Sequence, residues 1–119
     1  MARYRLSGPA QTDISHILAR SAALWGPQGR RRYGKLLADA FRKVANEPEC
    51  MPSQNRSQLW RGLRSIHLRH IKAEAPDDKV QRPVHLVFYR PLAPELIEIV
   101  RILHERMDPA LHLSPQNDE

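Results

Sequence analysis

The sequence predicts an α+β fold: an N-terminal strand, an antiparallel helical hairpin, then a three-stranded antiparallel meander, with the helices packed on one face of the sheet. Three observations carry this. Ile97-Glu98-Ile99-Val100-Arg101-Ile102-Leu103 is an apolar run whose β-branched residues suit a strand buried on both faces. Two helical stripes precede Pro48 and are separated only by Gly26-Pro27. Two further strand-like segments, 62–71 and 84–90, are set off by turn signals. Helices early and strands late place helices against one antiparallel sheet.

Taken in order, Tyr4-Arg5-Leu6 is a short extended segment closed by Ser7-Gly8-Pro9. Serine suits a helix start, and Pro9 falls near the first helical position, where its missing N–H costs little. Apolar residues at Ala10, Ile14, Ile17, Leu18, Ala22, Leu24 and Trp25 form one stripe, which Gly26-Pro27 stops. A second stripe from about Gln28 holds Tyr33, Leu36, Leu37, Ala40, Phe41, Val44 and Ala45, and ends at Asn46-Glu47-Pro48. So short a connection predicts a hairpin. Cys50 to Gln58 reads as loop, Lys72 to Arg82 as a polar connection, and Pro91 to Pro94 as the turn into the last strand. After Asp108, Pro109 to Leu113 suits one short turn before a polar end.

The 119 residues make one domain, with a core from about 4 to 113. Neither an apolar run of membrane-spanning length nor an apolar N-terminal signal segment occurs, so no membrane partner and a cytoplasmic location are expected. The lone Cys50 agrees, and it excludes an internal disulfide and a cysteine zinc site. A net charge of +6 suits either nucleic acid or an acidic protein partner. Aromatics at 6% leave few stacking platforms for single-stranded nucleic acid.

Motif chemistry is sparse. The Gly26 to Gly29 turn lacks the lysine and hydroxyl of a phosphate loop, and no nucleophile motif accompanies the scattered Ser, His and Asp residues. His67 and His70 lie three apart on a predicted strand and so face opposite ways. His16 and His112 have no ligand at metal spacing. No metal or other cofactor is expected. Arg30-Arg31-Arg32 with Lys35 opens the second helix, either as a solvated helix start or as an electrostatic landing surface. Trp25 reads as core, and Trp60 as a core anchor or a partner hot spot.

The order of elements, with Gly62-Leu63-Arg64, His85 to Tyr89 and Ile99 to Asp108, resembles the RelE/ParE toxin superfamily across residues 4 to 113. The ending Arg-Ile-Leu-His-Glu-Arg-Met-Asp, with His112-Leu113 after it, is most similar to the ParE branch. That resemblance implies the toxin of a type II toxin-antitoxin system. Such a toxin binds DNA gyrase, traps it on cleaved DNA and stalls growth, until a cognate antitoxin wraps and silences it. The implied target surface is the last strand and its tail: Arg101, His104, Arg106, Met107 and Asp108. An acidic, amphipathic antitoxin arm is expected on Arg31, Tyr33, Leu37 and Trp60. DNA held in the gyrase complex is a further possible contact.

Binding rather than catalysis is the expected mode. The alternative is a ribosome-dependent mRNA endonuclease of the RelE kind, working without metal. Its cations and its acid or base would be Arg64, Arg90 and His104, with Arg61 and His85 in reserve. A third alternative is a non-toxic interaction module of the same fold.

Overall fold

In a computed structural model describing residues 2–113, the chain runs through seven main elements. These are strand β1 (Arg3–Leu6), helix α1 (Gly8–Asn46), β2 (Gln54–Asn55), β3 (Arg64–His67), β4 (His85–Ala93), β5 (Leu96–His104) and helix α2 (Pro109–His112). Met1 and the expected polar end, 114–119, lie outside the described residues.

The strands form one sheet in the order β1-β5-β4-β3-β2. β5, the apolar run, lies between β1 and β4, and its β-branched residues are buried on both sides. Strands β2 to β5 pair antiparallel, whereas β1 pairs parallel with β5. The sheet is therefore mixed, not purely antiparallel as expected. Tyr4-Arg5-Leu6 has too short a pattern to reveal its partner or direction. Other boundaries also shift. Two residues of the expected 50–58 loop pair as β2, the third strand ends at His67 in a 3-10 turn (Leu68–His70), and β4 runs on through Pro91 to Ala93.

Ser7 caps α1, accepting from the Ala10 N–H at 3.0 Å, with Pro9 in the first turn. The expected stop at Gly26-Pro27 is only a break. Helical residues lie on both sides, and Gly26 alone leaves helical geometry, at φ 76° and ψ −175°, a conformation that favours glycine. A straight helix of 39 residues would span about 58 Å, beyond the 37 Å long axis of the molecule, so the chain changes direction there. Leu18 lies 3.6 Å from where a Cβ on Gly34 would stand, so the two arms touch at positions equidistant from Gly26. Trp25, expected in the core, is instead 72% exposed beside the break, because the apex turns it outward.

One face of the sheet packs on α1, where Ile17, Leu37, Phe41 and Val44 meet Val87, Tyr89, Ile99 and Ile102. Phe88, Val100 and Leu103 face the other way, and a bulge in β5 opposite Phe88 and Tyr89 lets Val100 and Leu103, three residues apart, share that face. There Leu63 and Leu113 cover them, with Leu59 and Trp60 alongside. The second face is thus closed by the loop before β3 and by the C-terminal tail. No helix among the described residues is long and apolar enough to cross a membrane.

Candidate functional site at the strand ends

Antiparallel register brings three histidines to one end of the sheet. His67 ends β3 and pairs opposite Leu86, while His85 opens β4 and pairs directly with His104 at the end of β5. The His85 and His104 rings meet edge to face with centroids 5.5 Å apart.

Each ring has its Nδ1 committed to structure, and His67 its Nε2 as well. Tyr33 reaches from α1, accepts the Val84 N–H at 3.2 Å and lies 2.6 Å from His85 Nδ1. Burial pushes the Tyr33 phenol up to about 12, so it keeps its proton and donates it to Nδ1. That leaves the His85 proton on Nε2. Burial, then the neighbouring His104, pushes His85 down to about 4, so it is neutral at neutral pH. His104 Nδ1 accepts from the Arg106 N–H at 3.1 Å. His67 Nδ1 accepts from the Arg69 N–H at 3.0 Å, which leaves Nε2–H to donate to Glu105 at 2.7 Å. That bond holds the Glu105 carboxyl below the usual carboxylate range. The group brackets three strand ends to one another and to α1. A ring whose acceptor nitrogen is filled by a phenol is poorly set up as a general base.

Beyond His104 the chain turns outward. The Met107 N–H returns to the His104 carbonyl at 2.9 Å, and Asp108 caps α2 by accepting from Ala110 at 3.0 Å. Arg106, Met107 and Asp108 are exposed, Met107 by 45%. Four of the five residues expected to meet a target therefore lie together. Arg101 is elsewhere, forked onto Asp13 at 2.8 and 2.9 Å, with its third contact on the His112 carbonyl at 3.1 Å.

The endonuclease set does not converge. Arg64 is level with Tyr89, four residues along β4 from His85 and about 13 Å from the histidine end. It lies on the α1 side of the sheet, held by Ser53 Oγ at 2.8 Å. Arg90 is on the opposite face, bonded to Glu98 at 3.1 Å and 4.6 Å over the Trp60 ring. Of the reserves, Arg61 is exposed beyond the start of β3 and His85 alone adjoins His104.

The family model described as "ParE toxin of type II toxin-antitoxin system, parDE" matches residues 4–109. The chain belongs to the ParE toxin family. It is 33% identical to Toxin ParE of Escherichia coli over 109 residues, covering 91% of this chain and 89% of that protein. It is 28% identical to Toxin ParE1 of Mycobacterium tuberculosis over 107 residues, covering 90% of this chain and 93% of that protein.

In this ParE-family chain the residues expected to meet an antitoxin divide. Arg31 is exposed and pairs with Asp78 at 2.9 Å, and Trp60 is half-buried under Arg90. Tyr33 and Leu37 are core, 8% and 2% exposed, so in this conformation they present no surface to an arm. Sequence reasoning weighed His104 without a paired group and so missed its contact with His85. The signal was available, since the first residue of β4 and the last of β5 must lie opposite each other across a tight turn. The His67–Glu105 and Asp13–Arg101 pairs had no local signal.

Proposed function

We propose that this chain is the toxin of a type II toxin-antitoxin pair and acts by binding DNA gyrase, trapping it on cleaved DNA until a cognate antitoxin neutralises the toxin. The observation that carries this reading is the family match over residues 4–109. Geometry favours binding over catalysis, because Arg64, Arg90 and His104 are spread over two faces and two ends of the sheet. His104, Arg106, Met107 and Asp108 form the target-facing end, while Arg101 supports it from behind. An acidic antitoxin arm suits the net charge of +6 and has Arg31 and Trp60 as surface contacts.

The test is induction of the toxin alone, followed by supercoiling and DNA-cleavage assays with purified gyrase. Growth arrest with accumulated double-strand breaks is expected. Arrest with intact gyrase activity and fragmented messenger RNA would overturn the gyrase reading in favour of ribonuclease action. An absence of arrest would mark a non-toxic module.

A further inference from the structure

The apex of α1 sets exposed apolar surface beside positive charge. Leu24 and Trp25 are 56% and 72% exposed, and Pro27 is exposed next to them. Arg20 lies one helical turn before Leu24, and Arg30 follows the break; both are exposed, with no ion-pair partner among the described residues. Two glycines build this corner. Gly26 supplies the positive φ, and a Cβ at Gly29 would collide with the Cβ of Trp25. The tryptophan therefore stands against a glycine surface, presented on a fixed corner and contributing little to the core.

The position of the apex ties it to the candidate site. Tyr33 follows Gly26 by seven residues, about 10 Å of helix, and Tyr33 touches His85 at the strand ends. On the other arm Asp13 is level with Arg101 and Ile102, two to three residues before the end of the final strand. Both arms thus carry the apex past the same end of the sheet that holds His104 to Asp108.

We propose that the Leu24–Trp25 apex docks the toxin's protein target, inserting into an apolar socket rimmed by carboxylates, with Arg20 and Arg30 on the rim. The proposal rests on the toxin reading above and adds a second contact to it. A convex corner fits a concave surface, which a folded protein supplies and an extended antitoxin arm does not. Tryptophan and arginine are the side chains that most often dominate such contacts. The leucine and proline beside them favour protein over nucleic acid, whose bases and phosphates offer aliphatic groups little. The neighbouring Arg31 already takes a carboxylate, that of Asp78, which shows what chemistry these guanidinium groups accept here.

The test uses the full chain, induced without antitoxin, comparing Trp25→Ala and the pair Arg20→Glu, Arg30→Glu with wild type. Purified gyrase is assayed in parallel, and urea midpoints check folding. The expected result is roughly tenfold more toxin needed for growth arrest in both variants at unchanged urea midpoint. Arrest at wild-type toxin levels in Trp25→Ala overturns the proposal. So does loss in the arginine pair alone, which would mark a phosphate contact. A wild-type chain that arrests growth while leaving gyrase untouched sinks the gyrase reading and leaves the growth comparison to decide the apex. A wild-type chain that arrests nothing overturns both.

Discussion

Asp13 and Arg101 lie 88 residues apart in sequence and form a two-pronged ion pair, with contacts of 2.8 and 2.9 Å. The same carboxylate accepts the Ile102 N–H at 2.9 Å. β1 ends at Leu6, opposite Ile99, so beyond that point no strand among the described residues lies along that edge of β5. The start of α1 fills the gap. Ser7 donates to the Val100 carbonyl at 2.7 Å, and Asp13 receives the next free N–H. A strand edge that would otherwise invite another chain is closed by two side chains of one helix.

Removing either partner of that pair leaves a half-buried charge uncompensated. Arg101→Ala should lower unfolding free energy by about 2 kcal/mol, and Asp13→Ala by about 3 kcal/mol because it also orphans the Ile102 N–H. Urea denaturation measures both. Asp13→Asn keeps an acceptor for the N–H and should fall between wild type and Asp13→Ala. Equal losses for Asp13→Ala and Arg101→Ala would show that edge capping adds nothing to the ion pair.

Glu98 is buried on the sheet face away from α1, between Arg5 at 3.4 Å and Arg90 at 3.1 Å. Arg90 in turn lies over Trp60. Glu98→Gln keeps the shape but removes the charge that holds Arg90 against the indole, at a cost of about 2 kcal/mol. Trp60 fluorescence should shift in that variant, since the guanidinium above the ring loses its anchor. An unchanged spectrum with unchanged stability would show that Trp60 is held by its apolar neighbours alone.

The His85 environment predicts acid sensitivity with a definite sign. Its pKa, pushed down to about 4 in the folded chain by burial and by His104, lies below the ordinary histidine value of about 6.5. Between those values the unfolded chain binds more protons than the folded one, so stability rises with pH across the window and is lost as pH falls from about 6.5 to 4. The loss should be about 2 kcal/mol once solvent screening of a partly exposed ring is allowed for. Glu105, held low by the His67 bond, is a depressed carboxyl. Its stabilisation is present above the ordinary glutamate value and fades as pH falls below that value. His85→Gln should flatten the melting temperature between pH 6.5 and 4 and leave the lower-pH decline in place. A variant as acid-sensitive as wild type in that window would assign the effect to another group.

The parts of this fold legible in the sequence are those written in local periodicity and punctuation. Ser7-Gly8-Pro9 starts the helical segment, Asn46-Glu47-Pro48 ends it, and the β-branched run becomes β5. What was not legible depends on partners distant in sequence. Three residues of strand pattern at Tyr4-Arg5-Leu6 cannot disclose a parallel partner some 90 residues on. Apolar character alone placed Trp25 in the core, whereas the break at Gly26 turns it to solvent. At the candidate site the exposed residues, Arg106 to Asp108, were visible as a polar strand ending. Arg101 looked like one of them, but its charge is answered by a residue on α1 that no spacing rule connects to it. Tyr33 and Leu37 show the reverse. They belong to an apolar helical stripe, and an apolar stripe next to a sheet becomes core before it becomes interface.

The separation of Arg101 from its neighbours gives the last prediction. Arg106 and Met107 are exposed, and among the described residues their side chains enter no hydrogen bond, ion pair or core cluster. Arg106→Ala and Met107→Ala should therefore leave the urea midpoint within about 0.5 kcal/mol of wild type and, under the proposed gyrase-binding function, weaken gyrase inhibition roughly tenfold. Arg101→Ala should do the opposite, losing stability but keeping its inhibitory activity per folded molecule at temperatures where it remains folded. His104→Ala falls between, because its ring both packs against His85 and accepts the Arg106 N–H. It should lose stability and inhibition together. Supercoiling assays on the four variants, each normalised to its folded fraction, separate surface from scaffold. If Arg106→Ala and Met107→Ala inhibit as wild type does, the strand end is scaffold throughout and the contact with the target lies elsewhere on the toxin.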